Sequence, residues 1–160
     1  MTPYGNPDEK LMNRTLAMAR ENIDAGGGPF AALLVKDGEI IAGAGNRVTS
    51  MHDPTAHAEI LVIREAARKL GTHDLSGCEL YASCEPCPMC LGAIYWAHIS
   101  AVYYGAGRTD AEKAGFDDHL IYRELKMEPQ ERSVPMKQLP SDEAREVFTK
   151  WVQTPGKEPY

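Results

Sequence analysis

A histidine and a pair of cysteines, at two places in the chain, have the residue types and spacing of a metal site. His57 lies in the run Pro54-Thr55-Ala56-His57-Ala58-Glu59, and Cys87 and Cys90 lie in the run Pro86-Cys87-Pro88-Met89-Cys90. One imidazole and two thiolates can hold a zinc ion, and three protein ligands leave a fourth tetrahedral position for a water molecule. The pattern therefore predicts a catalytic zinc site rather than a structural one.

Glu59 lies two residues after His57, where it can carry protons for such a site. Zinc lowers the pKa of a bound water from about 15.7 to near 7, which makes hydroxide available at neutral pH. Glu59 can take the proton of that water and pass it to a ring nitrogen and to a departing amine. The alternative is an acid that only offsets the dipole at a helix start, worth about 0.3–1 kcal/mol. Because His-x-Glu and Pro-Cys-x-x-Cys together resemble the signature of zinc deaminases, we favour the catalytic role.

The cysteine spacing by itself leaves alternatives open. Cys84 also lies three residues before Cys87, and a lone Cys-x-x-Cys can be a redox pair. Pro88 is expected at the first position of a helix, which makes Cys87 the cap and places Cys90 in the first turn. Residues three apart on a helix face the same way, so we choose Cys87 and Cys90 as the ligands. Cys78 is expected to be a small buried strand residue.

Composition limits the classes of partner. The 160 residues carry a net charge of -6, and the basic residues are scattered among acids, so a phosphate backbone is not expected as the main partner. The apolar runs are too short to cross a bilayer, and no membrane partner is expected. The first residues have no basic and apolar leader pattern, so no signal peptide is predicted. Four cysteines without that leader favour metal binding or catalysis in the cytoplasm over disulfides.

Apolar residues at helical spacing, and short apolar runs between turn residues, predict alternating helices and strands. The predicted helices span residues 6–25, 55–70, 88–97 and 141–152, and the predicted strands span residues 31–35, 40–45, 78–83 and 101–104. Asn6 is expected to cap the first helix, and Thr55 or Asp53 the second. The alternation predicts an α/β sandwich with a mostly parallel sheet. Residues 1–160 are expected to form one domain, with a C-terminal arm from about residue 153.

The chain resembles the cytidine-deaminase-like zinc deaminases, and in particular the bacterial guanine deaminases. The resemblance covers nearly the whole chain and is carried by the two zinc motifs and by Gly28-Pro29-Phe30, Asn46, Ala114-Gly115-Phe116-Asp117-Asp118 and the terminal Tyr160. It implies a three-layer α/β/α sandwich with a five-stranded, mixed, mostly parallel sheet. It also implies one zinc ion per subunit, on His57, Cys87 and Cys90, with Glu59 as the proton carrier.

The resemblance further assigns roles around a substrate. Phe30 would stack on the base, and Asn46, Asp118 and Tyr160 would line its pocket. This agrees with the chemistry of guanine, whose ring N–H and amino donors need acceptors such as an amide carbonyl or a carboxylate. Family members form homodimers, and the C-terminal segment of guanine deaminases can cross over to complete the partner's site. The expected reaction is therefore hydrolysis of guanine to xanthine and ammonia by a homodimer.

Three other functions are compatible with parts of the pattern. A tRNA adenosine deaminase shares both zinc motifs but needs a basic surface for its RNA, which this acidic chain does not suggest. Deamination of cytosine, of guanosine or of an aminotriazine such as ammeline uses the same zinc chemistry. A zinc-binding module without activity would need a fourth protein ligand near the other three.

Overall fold

The computed structural model describes residues 6–160, so the expectation of a chain without a signal peptide falls mostly outside the described residues. Contacts divide the chain into two compact units, one that ends at Asp118 and one from His119 to Tyr160. In the first unit the helices are α1 Glu9–Asp24, α2 Val48–Met51, α3 Ala58–Leu70, α4 Pro88–Trp96 and α5 Arg108–Lys113. Its strands are β1 Ala31–Lys36, β2 Glu39–Gly45, β3 Cys78–Cys84 and β4 Ala101–Ala106.

The four strands form one mixed sheet in the order β2-β1-β3-β4. Strands β1 and β2 form an antiparallel hairpin, whose turn residues Asp37 and Gly38 both have positive φ, as tight hairpin turns require. Strand β1 also pairs antiparallel with β3, and only β3 and β4 pair in parallel. The prediction of an α/β fold with a mixed sheet is confirmed, whereas the described residues contain four strands and not five.

The expectation of a mostly parallel sheet is wrong, because the β1–β2 hairpin makes most of the strand pairs antiparallel. Strands β2, β3 and β4 run in one direction, as the alternation with helices predicts. The hairpin, however, places β1 between β2 and β3 in the opposite direction. Two of the three neighbouring pairs are therefore antiparallel.

Alternate residues of β1 point to opposite layers of helices, which gives the three-layer sandwich. Leu34 packs in a core with Val62 of α3 and Ile94 of α4. Leu33 and Val35 face the other way, in a cluster that includes apolar residues of α1. The sheet is thus covered on both faces, with α3 and α4 on one side and α1 on the other.

Two helix starts differ from the sequence prediction. The cap of α1 is Asp8, whose carboxylate accepts a hydrogen bond from the Lys10 amide, and not Asn6. The cap of α3 is His57, because Asp53 instead accepts bonds from the amide and the hydroxyl of Thr55 and closes a turn before the helix. Other boundaries agree with prediction: Gly71 ends α3 at positive φ, and Pro88 opens α4.

The second unit is described by itself. It contains α6 His119–Glu124, a 3-10 helix Pro129–Glu131 and α7 Asp142–Gln153. The hydroxyl of Ser141 accepts a hydrogen bond from the Ala144 amide and caps α7 at the predicted place. No residue of these three helices is buried, and one face of α7 exposes Val147, Phe148, Trp151 and Val152. Among the described residues, no helix has the length and apolar character needed to span a bilayer.

Candidate active site

The structure brings the three predicted ligand side chains together. Nδ1 of His57 lies 3.5 Å from Sγ of Cys87 and 3.5 Å from Sγ of Cys90. All three ligand atoms lie within 4.8 Å of one another. Cys90 is fully buried, and the other two side chains are partly buried. The three groups therefore point at one common position.

Two helix starts and one turn produce this convergence. His57 is the extended residue before α3, and Cys87 is the extended residue before α4. Cys90 is one turn further along α4, so both sulfurs face the same side of that helix. The Asp53 turn sets the direction from which the chain enters α3. Helix starts carry partial positive charge, which favours thiolates at this place.

The spacing fits a tetrahedral zinc ion. Zinc bonds of about 2.0–2.1 Å to nitrogen and about 2.3 Å to sulfur, at tetrahedral angles, place nitrogen and sulfur about 3.6 Å apart. The observed separations of 3.5 Å match this value. Within the described residues the cluster consists of these three protein ligands. A zinc ion held by them keeps one position for a water molecule, as catalytic zinc sites do.

Hydrogen bonds within the cluster shift the pKa values of the two thiols in opposite directions. The hydrogen bond with Cys90 and, to a smaller extent, the contact with His57 lower the pKa of the Cys87 thiol to about 4. The same hydrogen bond raises the pKa of the Cys90 thiol, and burial adds to the effect. The pKa of His57 is raised, chiefly by its hydrogen bond with Cys87. One thiolate is thus formed before any metal binds, and coordination to zinc deprotonates the second.

Glu59 is placed in the first turn of α3, beside the ligand cluster. Its side chain is only 9% exposed, and burial raises the pKa of its carboxyl group. The carboxyl group also makes a hydrogen bond with Cys90. A carboxylate with a raised pKa accepts and returns protons more readily near neutral pH than an exposed one. This is the environment that a proton carrier at a zinc-bound water requires.

Phe30 and Asn46 lie next to each other at the end of the β1–β2 hairpin. The amide of Asn46 donates to the carbonyl oxygen of Phe30 at 2.9 Å, which extends the pairing of the two strands by one step. The side-chain oxygen of Asn46 accepts from the Val48 amide at 3.4 Å and keeps a second lone pair. Both side chains are partly buried.

Asp118 and Tyr160, the other two predicted pocket residues, differ in burial and belong to different units. Asp118 is partly buried and follows Phe116 by two residues. The rings of Phe116 and Phe30 meet edge to face, with centroids 4.8 Å apart and an interplanar angle of 84°. The segment that carries Asp118 is therefore close to Phe30. Tyr160 belongs to the second unit, where its side chain is exposed, and its role stays a prediction.

Cys84 is on a different element from the ligand pair. It is the last residue of β3, and its thiol donates to the carbonyl oxygen of Gly107 at 3.7 Å. Burial raises the pKa of this thiol. Cys78, at the other end of β3, is buried as predicted. The placement of the cysteines supports the choice of Cys87 and Cys90 over Cys84.

Sequence reasoning missed the residues that hold the Phe30 loop. The Ser83 hydroxyl is buried, accepts from the Ala31 amide at 3.0 Å and donates to the Pro29 carbonyl at 3.5 Å. Asn22 donates from its side-chain amide to the carbonyl oxygen of Gly28 in this loop and to that of Asn46, which directly follows β2. The available signal for Asn22 was a polar residue four positions after Met18, on the apolar stripe of α1.

Comparison with known proteins identifies the family. Residues 6–106 match the family described as the cytidine and deoxycytidylate deaminase zinc-binding region. The chain is 50% identical to the guanine deaminase of Bacillus subtilis strain 168 over 153 residues, which cover 95% of this chain and 98% of that protein. The crystal structure of a Bacillus subtilis guanine deaminase superposes with a TM-score of 0.93 at 49% identity, covering 97% of this chain and 99% of the other.

Similarity to RNA-modifying relatives is confined to part of the chain. A tRNA-specific adenosine deaminase of Aquifex aeolicus is 45% identical over 98 residues, or 61% of this chain and 65% of that protein. The similarity to the guanine deaminase, in contrast, extends through both units. The chain therefore belongs to the zinc-binding cytidine and deoxycytidylate deaminase family, on its guanine deaminase branch.

Proposed function

We propose that this chain is a zinc-dependent hydrolase that converts free guanine to xanthine and ammonia. The observation that carries the chemistry is the convergence of one imidazole nitrogen and two sulfurs on a single point, with a buried carboxyl group beside them. The substrate is supported by the similarity to a guanine deaminase, which covers 95% of this chain and 98% of that protein.

His57, Cys87 and Cys90 would hold the zinc ion, which supplies a hydroxide nucleophile near neutral pH when bound. Glu59 then accounts for the movement of protons. Its carboxylate accepts the proton of the attacking water and gives it to the ring nitrogen next to the attacked carbon. The carboxylate then takes the remaining proton of the added hydroxyl group, as the carbonyl of xanthine forms, and delivers it to the departing amino group, which leaves as ammonia. Burial of Glu59 excludes competing water from these transfers.

The base side of the pocket is assigned to Phe30, Asn46 and Asp118. Phe30 offers an aromatic ring for stacking, and the edge-to-face contact with Phe116 helps to fix the orientation of that ring. The free lone pair of the Asn46 side chain and the carboxylate of Asp118 are acceptors for the donor-rich edge of guanine. We include Tyr160 as a further pocket residue, supplied by the C-terminal arm.

We further propose a homodimer in which the C-terminal arm, from about residue 153, completes a partner's site. The support is in the second unit itself, whose helices bury no residue and whose α7 exposes four large apolar side chains on one face. A 42-residue unit without a core of its own needs another surface to stabilise it. We place the protein in the cytoplasm, where thiols such as its four free cysteines stay reduced.

A screen for ammonia release tests the substrate directly. Zinc-loaded protein is offered guanine, guanosine, adenine, cytosine, cytidine and ammeline, and we expect guanine to give the highest kcat/KM. A higher value for a nucleoside or for ammeline would replace guanine as the substrate and leave the zinc chemistry intact. Activity on an RNA stem-loop that falls steeply with salt would favour the tRNA deaminase alternative.

Glu59→Gln tests the chemistry. The variant should keep one zinc ion per chain, because Glu59 is not a ligand. Its kcat should fall by more than the ~10²–10⁴-fold typical of one acid–base contact, since the same carboxylate serves several proton transfers. Near-normal turnover by a zinc-loaded Glu59→Gln protein would show that another group carries the protons.

A further inference from the structure

Asn22, near the end of α1, connects two segments that are distant in sequence. Its side-chain amide donates to the carbonyl oxygen of Gly28 at 2.8 Å and to that of Asn46 at 3.0 Å. The first acceptor lies two residues before Phe30 in the α1–β1 loop, and the second directly follows β2. One amide group therefore bridges the two segments that present the base-side residues.

The backbone is shaped around this amide. A Cβ atom at Gly27 or at Gly45 would overlap the side chain of Asn22. Neither glycine has positive φ, so backbone conformation does not require a glycine at these positions. Both are therefore explained by the space that Asn22 occupies.

The bridge acts on the geometry of the base-side pair. The Asn46 amide bonds to the Phe30 carbonyl, so a shift of the Asn46 segment changes the distance between the two side chains. Ser83, in β3, bonds to the residues on either side of Phe30. Gly28 is held by the Asn22 amide instead. Neither bond of Asn22 goes to α3 or α4, which carry the metal ligands and Glu59.

We propose that Asn22 is a positioning residue for substrate recognition, which sets the separation of Phe30 and Asn46 without touching the base. This inference rests on the proposed function, since it assigns the bridge to the base-binding side of that site. Loss of the bridge weakens binding of the base and leaves the metal and the proton carrier in place. The expected signature is a change in KM with little change in kcat.

The test uses Asn22→Asp, which keeps the shape and replaces the donor by an oxygen, and Asn22→Ala, which removes the group. With zinc-loaded full-length protein and guanine, KM should rise about tenfold while kcat stays within about threefold, as expected when uniform binding is lost. Zinc content should remain one per chain. Asn13→Asp makes the same chemical change on the exposed side of α1 and should leave KM unchanged.

Two further measurements separate positioning from general destabilisation. Thr15→Ala removes a buried group from the same helix, and it should lower the melting temperature without raising KM. In a double-mutant cycle, Asn22→Asp should cost much less in an Asn46→Ala background, because the variant lacks the side chain whose separation from Phe30 the bridge is proposed to set. Additive effects, an unchanged KM, or a KM change equal to that of Thr15→Ala would overturn the proposal, as would failure of both Asn22 variants to fold.

Hydrogen exchange of the Asn46 amide distinguishes failure of this inference from failure of the proposed function. In the wild type that amide should exchange slowly, and in Asn22→Asp it should exchange at least tenfold faster, with amides of α3 unaffected. Wild-type protein without activity on guanine overturns the proposed function, while exchange at Asn46 still reports on the bridge. Unchanged exchange in the variant overturns the bridge, whatever the substrate.

Discussion

The metal side and the base side of the candidate site are built by different means. His57, Cys87 and Cys90 sit at the starts of two helices, where local geometry directs all three ligand atoms to one point. Phe30 and Asn46 instead sit in loops beside the hairpin, and their positions depend on bonds from side chains far away in the sequence. The comparison indicates that short motifs orient the metal ligands, whereas the proposed base-side residues depend on long-range hydrogen bonds.

The largest effect should come from a ligand substitution on the metal side. Cys90→Ser should lose zinc and reduce activity to background, because the hydroxyl replaces a fully buried thiolate ligand. Cys84→Ser is the matched control on β3, and it should retain zinc, as measured by metal analysis of the purified protein. Loss of zinc in Cys84→Ser with zinc retained in Cys90→Ser would mean that the other Cys-x-x-Cys pair binds the metal.

A smaller loss should follow from a change on the base side. Phe30→Ala removes the stacking face, which is worth about 1–3 kcal/mol for a base, so KM for guanine should rise about 5–150-fold. Zinc content should not change, because Phe30 lies outside the ligand cluster. Phe116→Leu keeps an apolar contact to Phe30 and should have a weaker effect. If Phe30→Ala lost zinc, the two sides of the site would not be separate.

Removal of the C-terminal arm should affect the base side alone. A chain truncated before Pro155 lacks Tyr160, and kcat/KM for guanine should fall about tenfold, the cost of about one lost polar contact in the pocket. Zinc content should be unchanged. Tyr160→Phe, which retains the ring, reports on the hydroxyl alone. Equal turnover by full-length and truncated protein would remove Tyr160 from the site.

The smallest expected effect concerns the reactivity of Cys87 in zinc-free protein. In zinc-free protein the pKa of Cys87 is about 4, so its thiolate is already formed at pH 6. Its alkylation rate should change less than about twofold between pH 6 and 8 and should fall only as the pH approaches 4. An ordinary thiol gains more than about 50-fold in thiolate over the same interval. A rate for Cys87 that rises in that way would show that the site is not prepared before zinc binds.

The sequence predicted the metal side well because each of its features is local. Pro88 at a helix start and the three-residue spacing of the sulfurs were enough to orient Cys87 and Cys90. The cap of α3 was wrong because Asp53 satisfies its carboxylate within the preceding turn. Residue spacing alone does not show whether the Asp53 carboxylate bonds to the preceding turn or to the first amides of the helix.

The remaining features depend on tertiary contacts that no short window of sequence contains. Strand β1 lies between β2 and β3 and pairs antiparallel with both, and this place in the sheet depends on contacts between residues far apart in sequence. The bridge made by Asn22 joins residues 24 positions apart. The second unit is a further example. The spacing of its apolar residues predicts the apolar face of α7, but it does not predict which surface packs against that face.

X-ray absorption at the zinc edge on the wild-type protein tests the central claim most directly. We predict one zinc ion per chain, coordinated by one histidine nitrogen, two sulfurs and one light atom from solvent, with the same set retained in Glu59→Gln. A third sulfur, a second histidine nitrogen, or protein without stoichiometric metal would contradict an open hydrolytic zinc site on His57, Cys87 and Cys90.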